Sequence, residues 1–214
     1  MSLAVKICGL STADAIEAAV AGGAAYIGFV FYPKSPRHVT VSRAADLARL
    51  IPSRTLRCGL FVDADEATIS AVLKAVPLDL LQLHGQETPE RCAALRERYR
   101  RPVMKAIGIA GPEDLARAES WVGSVDRLLF DAKPPPGPAA LPGGNGIAFD
   151  WRLLSDRSWP VPWMLSGGLA AGNLREAVRA TRAEAVDVSS GVETAPGIKS
   201  AALIREFLAV AKGL

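Results

Sequence analysis

Histidine, cysteine and long apolar runs are scarce in this 214-residue chain, and each scarcity removes a class of function. Two histidines, His38 and His84, leave too few imidazoles for a His-rich metal site. Cys8, Cys58 and Cys92 are odd in number and widely spaced. That argues against a disulfide frame or a CxxC metal site, and for free thiols in a reducing compartment. No uninterrupted apolar run approaches the ~18 residues a membrane span requires. The first ten residues, MSLAVKICGL, lack the basic stretch and long apolar core of a secretory leader. The expectation is a soluble, cytoplasmic protein. The net charge is +3 and no Lys/Arg block stands out. Nucleic acid is therefore a poor partner, and a small anionic molecule a better one.

What the chain has is an alternation of short apolar runs with amphipathic segments. Half of the residues are hydrophobic and 22% are charged, a globular composition. AVKICGL is followed by STADAIEAAVAGG, with Ser11 or Thr12 as helix cap and Gly22–Gly23 as stop. AYIGFVF is followed by the loop YPKSPRHVT and VSRAADLARLI; LRCGLFVD by ADEATISAVLKAV; LDLLQLHG by TPERCAALRERY, with Thr88 as cap and Pro89 in the first turn. PVMKAIGI then leads to GPEDLARAESWV, and VDRLLFDAK to a long Pro- and Gly-rich loop and a short helix near Asp150. WMLSGGL (163–169) runs into AAGNLREAVRAT, and AVDVSSGVE (185–193) into IKSAALIREFLAVAKG. Eight strands alternating with eight helices predict a parallel sheet closed into a (β/α)8 barrel, read as one domain over residues 1–214. An open doubly wound sheet would want a Gly-rich fingerprint after the first strand, and GLSTADA is not one. The loop at 134–146 is long for a tight domain, which marks it as functional or mobile.

The last two strand–helix units both end their apolar run in serine and glycine. Backbone N–H groups exposed there, near a helix start, suit a phosphate dianion. In a (β/α)8 barrel this is the usual phosphate position, after strands 7 and 8.

Alternate residues of a barrel strand point inward. Val5 and Ile7 suit the helix layer, which leaves Lys6 and Cys8 inside. The same parity sends Gln82, His84, Asp131, Asp187 and Ser189 inward, and Lys105 and Ser166 are placed inward with them. Cys58 is placed toward the helices and Cys92 within one, while Asp63 and Asp150 read as helix caps. Polar side chains at the C-terminal ends of strands are where barrel enzymes keep their chemistry. Each has a plainer reading as well. Cys8 is either a small buried hydrophobe or, beside Lys6, an active thiolate with a lowered pKa. Asp131 is a candidate loop cap, and His84 a hydrogen-bonded structural histidine. Lys6 and Lys105 are candidate counter-ions to inner carboxylates such as Asp187.

Taken together, VKICGL, GFVFYPKSPRHV, GLFVD, LQLHG, FDAK, GGNGIAFDW, LSGGL and VDVSSGVETAPG resemble the phosphoribosylanthranilate isomerases, cofactor-free (β/α)8 enzymes of tryptophan biosynthesis. The resemblance covers all eight units in order. It implies an Amadori rearrangement of a small phosphorylated substrate, N-(5'-phosphoribosyl)anthranilate, with no cofactor, no metal, no nucleic acid or membrane partner, and a monomer or homodimer. It makes Asp131 the general acid and Cys8 the general base. Arg37 would hold the anthranilate carboxylate. The phosphate would rest on N–H groups of Gly167, Gly168, Ser190 and Gly191 with Gly146 covering it, and His84 and Asp187 would line the cavity near the sugar. APGIKS (195–200) departs from the family's APGKKD-like stretch, and the sixth loop is longer than usual. The rival readings are another sugar-phosphate isomerase and a non-catalytic phosphate-binding barrel. A metal-dependent epimerase would need paired histidines and carboxylates, and the related histidine-pathway isomerase has an aspartate where this chain has Cys8.

Overall fold

A computed structural model describes residues 3–134, 141–155 and 157–214. Residues 135–140 of the long loop, the first two residues of the chain and position 156 lie outside the described residues. Eight parallel strands close into a barrel: β1 (Ala4–Cys8), β2 (Tyr26–Val30), β3 (Leu56–Phe61), β4 (Leu80–Leu83), β5 (Val103–Ile109), β6 (Arg127–Ala132), β7 (Trp163–Leu165) and β8 (Ala185–Val188). Closure is made by β8 pairing with β1, where Lys6 stands opposite Asp187 and Val5 opposite Val186. Around it lie α1 (Ala13–Ala21), α2 (Val41–Ala48), α3 (Glu66–Ala75), α4 (Pro89–Tyr99), α5 (Pro112–Ala118), α6 (Leu174–Thr181) and α7 (Ala201–Lys212).

The helices begin where side chains replace the missing first-turn partners. The oxygens of Thr12, Thr40, Asp65, Thr88 and Ser200 each accept the backbone N–H three residues on, and each such cap stabilises its helix by about 1 kcal/mol. The cap of α3 is thus Asp65, not Asp63. Asp63 sits at φ 48° and its carboxylate accepts the Gln86 N–H at 2.6 Å, which ties the turn after β3 to the turn after β4. After β6 the expected helix is a single 3-10 turn, Trp151–Leu154, capped by Asp150. The barrel therefore carries seven α-helices among the described residues, with this turn in the place of the eighth. Among them no helix is long and apolar enough to cross a membrane.

Two apolar layers follow from strand parity. Ile7, Phe29, Phe61, Leu81, Leu128, Phe130 and Val186 face outward and pack under the helices. Tyr26, Cys58, Leu80, Met104, Leu129 and Met164 plug the barrel interior. The strand register corrects two sequence expectations. Cys58 stands beside Gly28 and Leu80 on the inward parity, so it points into the barrel. Its thiol donates to Gln82 Oε1 at 3.8 Å, a polar partner the helix layer would not supply. Lys105 stands beside Leu83 and Leu128, both outward, so it leaves the barrel. Its ammonium is satisfied outside by the Gly85 carbonyl at 2.7 Å and the Glu87 carboxylate at 2.8 Å. Met104 and Ala106 take the interior positions of β5 instead.

Candidate active site

A cleft opens at the C-terminal ends of the strands. Cys8, Arg37, His84, Asp131, Gly146, Gly167, Gly168, Asp187 and Ser190 all line it. Nine of the ten residues singled out in the sequence thus share one cavity. Gly191 lies just behind the wall, where a Cβ would fall 1.9 Å from the Leu169 carbonyl oxygen.

Cys8 ends β1, buried beside Gly28 of β2. A Cβ at Gly28 would come within 3.0 Å of the Cys8 sulfur and 3.2 Å of Lys6 Nζ, so the bare glycine makes room for both. The lowered thiol pKa expected from Lys6 is not what the structure gives. Burial pushes the Cys8 thiol up; Lys6 opposes this, and Asp187 adds to it. Burial is the larger effect, and the Lys6 charge that would counter it is shared, at 2.7 Å, with Asp187. Burial works against the Lys6 ammonium too, but Asp187, with Cys8 and Cys58, more than offsets it, and its pKa is raised.

Asp131 stands near the end of β6, with Oδ1 accepting the N–H of Ala132 at 2.9 Å and Oδ2 lying 3.4 Å from His84 Nε2. The other ring nitrogen of His84 is 3.1 Å from the Gln82 side-chain amide. Gly143, from the loop after β6, presses on this pair: a Cβ there would meet His84 at 2.7 Å and Asp131 Oδ2 at 2.8 Å.

Arg37, expected to hold a ligand carboxylate, already has its Nε and Nη2 engaged within the protein. Nε and Nη2 donate to the Glu193 carboxylate at 2.7 and 2.8 Å, and Nη2 also donates to the Gly144 carbonyl at 3.0 Å. Glu193 opens the short strand β9 (Glu193–Ala195), which pairs with β10 (Ile198–Lys199). Lys199 also pairs with the Glu193 carboxylate, at 2.7 Å, and the Gly197 N–H donates to its Oε2 at 3.3 Å. Burial opposes the Glu193 charge, but Arg37 and Lys199 hold its pKa below the usual carboxylate range. Burial lowers the pKa of Lys199 against the pull of Glu193. Lys199 further donates to the Ser189 carbonyl at 2.8 Å and hydroxyl at 3.0 Å, and that hydroxyl donates to the Cys8 carbonyl at 3.2 Å. Glu193 and Lys199, present in the quoted VDVSSGVETAPG and APGIKS stretches, carry no site role in the sequence reading because they lie past the last barrel strand, where inward–outward parity says nothing. A carboxylate within SSGVE, two residues after a glycine, was the available signal.

The segments after β7 and β8 meet beside the cleft. Gly167 and Gly168 adopt φ of +88° and +64°, a left-handed pair that an L side chain resists. Among the described residues, the backbone N–H groups of Gly146, Gly167, Gly168, Ser190 and Gly191 donate to no protein acceptor. A run of such N–H groups is an anion-binding concavity. No three His, Cys, Asp or Glu side chains come together as a metal-holding group among the described residues.

A sequence model of the family described as N-(5'phosphoribosyl)anthranilate (PRA) isomerase matches residues 5–210. The chain is 61% identical, over the full length of both chains, to the N-(5'-phosphoribosyl)anthranilate isomerase of Rhodospirillum centenum. It is 54% identical to that of Paramagnetospirillum magneticum, over 100% of this chain and 99% of the relative. The crystal structure of phosphoribosyl anthranilate isomerase from Thermotoga maritima superposes with a TM-score of 0.87 at 38% identity, covering 99% of this chain and 100% of that one. Another crystal structure of such an isomerase, in complex with reduced 1-(o-carboxyphenylamino)-1-deoxyribulose 5-phosphate, superposes at 0.85 with 36% identity over 99% and 100% of the two chains. With the barrel, the lined cleft and a match running from the first strand into the last helix, this chain belongs to the N-(5'-phosphoribosyl)anthranilate isomerase family.

Proposed function

We propose that this chain catalyses the Amadori rearrangement of N-(5'-phosphoribosyl)anthranilate to 1-(2-carboxyphenylamino)-1-deoxyribulose 5-phosphate, in L-tryptophan biosynthesis, with Asp131 as general acid and Cys8 as general base. The observation that carries the reading is that one cleft is lined by a carboxyl, a thiol, a guanidinium and a group of backbone N–H donors without a protein acceptor among the described residues. Those are the four things an anthranilate-bearing ribose phosphate needs.

Asp131 gives its proton to the furanose ring oxygen as the C1'–O bond breaks, and the anilino nitrogen lone pair forms the C=N bond of a Schiff base. The Cys8 thiolate then takes the C2' proton. The C–H electrons become the C1'=C2' bond, and the C=N electrons return to nitrogen to give an enolamine. Moving the C2' hydroxyl proton to C1' yields the ketone. The Schiff base is itself the electron sink, so an acid and a base suffice, each contributing roughly 10²–10⁴-fold. Because burial holds the Cys8 proton tightly, the thiolate is a minor and correspondingly basic form in the free protein. Once formed, it is a strong acceptor for a carbon-bound proton.

Arg37 Nη1, the guanidinium edge without a protein partner among the described residues, takes the anthranilate carboxylate. The phosphate rests on the N–H groups of Gly167, Gly168, Ser190 and Gly191, with Gly146 over it. His84 and Asp187 flank the sugar. The test is turnover by the purified chain of N-(5'-phosphoribosyl)anthranilate, followed as loss of the fluorescent anthranilate adduct. A folded chain that leaves the adduct untouched would refute the activity.

A further inference from the structure

Gln82 is a fully buried polar side chain to which the acid–base chemistry gives no part. Its two ends face different partners. Oε1 receives the Cys58 thiol at 3.8 Å, and Nε2 lies 3.1 Å from His84 Nδ1. The thiol stays protonated at neutral pH, burial pushing it up to about 12, and its proton goes to the amide oxygen. The amide nitrogen that remains can only donate. His84 Nδ1 is then the accepting nitrogen, and in a neutral imidazole the proton belongs on Nε2. Nε2 is the atom that faces Asp131 Oδ2 across 3.4 Å. That separation is long for a hydrogen bond, and catalytic hydrogen bonds of this kind shorten when substrate binds. Gly143 packs against both His84 and Asp131, so the ring has little room to turn over.

The geometry points to Gln82 as a positioning residue: it fixes His84 as the Nε2–H tautomer, which aims a donor at the carboxylate that Asp131 becomes on giving its proton to the substrate. The inference rests on Asp131 being the general acid, and adds a device that acts on it through His84. The Ala132 N–H donates to Oδ1 and the His84 Nε2–H faces Oδ2, so the anion formed at ring opening meets a donor on each oxygen. The reverse tautomer would point a lone pair at that anion and hinder the same step.

The tautomer is read directly from two-bond 1H–15N correlations of the imidazoles in 15N-labelled protein. The chain holds only two histidines, so a His38→Gln variant assigns the pair. The expected result is a His84 ring with a pyrrole-type Nε2 and a pyridine-type Nδ1 in the unliganded protein at neutral pH. A ring protonated on Nδ1, or an even mixture, overturns the inference. Gln82→Glu keeps the shape but offers only an acceptor, which should draw a proton to Nδ1 and cut kcat by about 10-fold or more while KM stays within about twofold. Gln82→Met removes both functions and should give a tautomer mixture with a smaller loss. Variants that keep the wild-type tautomer and the wild-type kcat also overturn it. The spectrum does not depend on which group is the acid. Failure of that assignment shows separately, as an Asp131→Asn variant that still turns over.

Discussion

Arg37 and Glu193 meet side by side, with two parallel hydrogen bonds of 2.7 and 2.8 Å between residues 156 apart in sequence. Lys199 shares the same carboxylate at 2.7 Å. Two cations against one anion leave this buried cluster one positive charge in excess, and the excess faces the cleft through Arg37. A ligand carboxylate would complete the balance.

Glu193→Gln should therefore cost more than a surface ion pair would. It leaves two buried cations without their shared anion, and removing one partner of a buried pair costs about 3–5 kcal/mol. Urea unfolding should show a lower midpoint at unchanged slope, the product of shift and slope being that free energy. Adding Lys199→Met should recover part of the loss; an additive double variant would show that the cluster is not a unit.

Cys8→Ala and Asp131→Asn should each lower kcat by roughly 10²–10⁴-fold with the circular dichroism spectrum unchanged. Both side chains sit at inner strand ends and neither fills a large part of the apolar core. Near-normal turnover in either variant would remove that residue from the mechanism.

Gly168→Ala tests the phosphate cradle. The residue has φ +64°, and a Cβ would stand 2.6 Å from the Ala148 nitrogen. The loop must shift, so KM should rise by about 10-fold or more, the equivalent of ~1.4 kcal/mol of lost binding, with kcat little changed. Inorganic phosphate should compete less well by the same factor. A KM equal to that of the parent chain would place the phosphate elsewhere.

The buried Cys58 thiol predicts a loss of stability in alkali. Its folded pKa is pushed up to about 12 by burial, while in the unfolded chain it titrates near 8.5–9. Above that lower value the unfolded state gives up a proton that the folded state keeps, so folding weakens as pH rises from about 9 toward 12. Between pH 9 and 10.5 the linkage amounts to about 2 kcal/mol. Stability measured against pH in Cys58→Ala should fall less steeply over that window by this amount. Parallel curves for the two proteins would contradict it.

The barrel itself was legible because every strand is an apolar run bounded by turn residues, and because the caps Thr12 and Thr88 are written in the local sequence. Inward parity placed Lys6, Cys8, Gln82, His84, Asp131 and Asp187 correctly, since their neighbours on those strands are strongly apolar. It failed where both neighbours could serve either layer. In LRCGLF, Leu56 and Leu60 turn inward with Cys58 while Gly59 and Phe61 face out, and in VMKAI the apolar Met104 and Ala106, not the lysine, fill the interior. The pKa of Cys8 departs from expectation for another reason: the sequence shows that Lys6 is near, but not how deeply the thiol is buried, nor that Asp187, 181 residues away, pairs with Lys6. Glu193 and Lys199 could not be found by parity at all, because a two-strand hairpin outside the barrel carries them.

The Lys6–Asp187 bridge joins the first strand of the barrel to the last. A slip of two residues at that seam would preserve inward–outward alternation, and hydrophobic contacts alone would scarcely resist it. Yet it would set the ammonium against Ala185 or Ser189 and strand an ionised group in a dry interior, a misfit costing several kcal/mol. The same ion pair that sits beneath the reaction thus acts as a proof-reader of ring closure, admitting only the alignment in which the thiol of the first strand arrives at the mouth of the barrel.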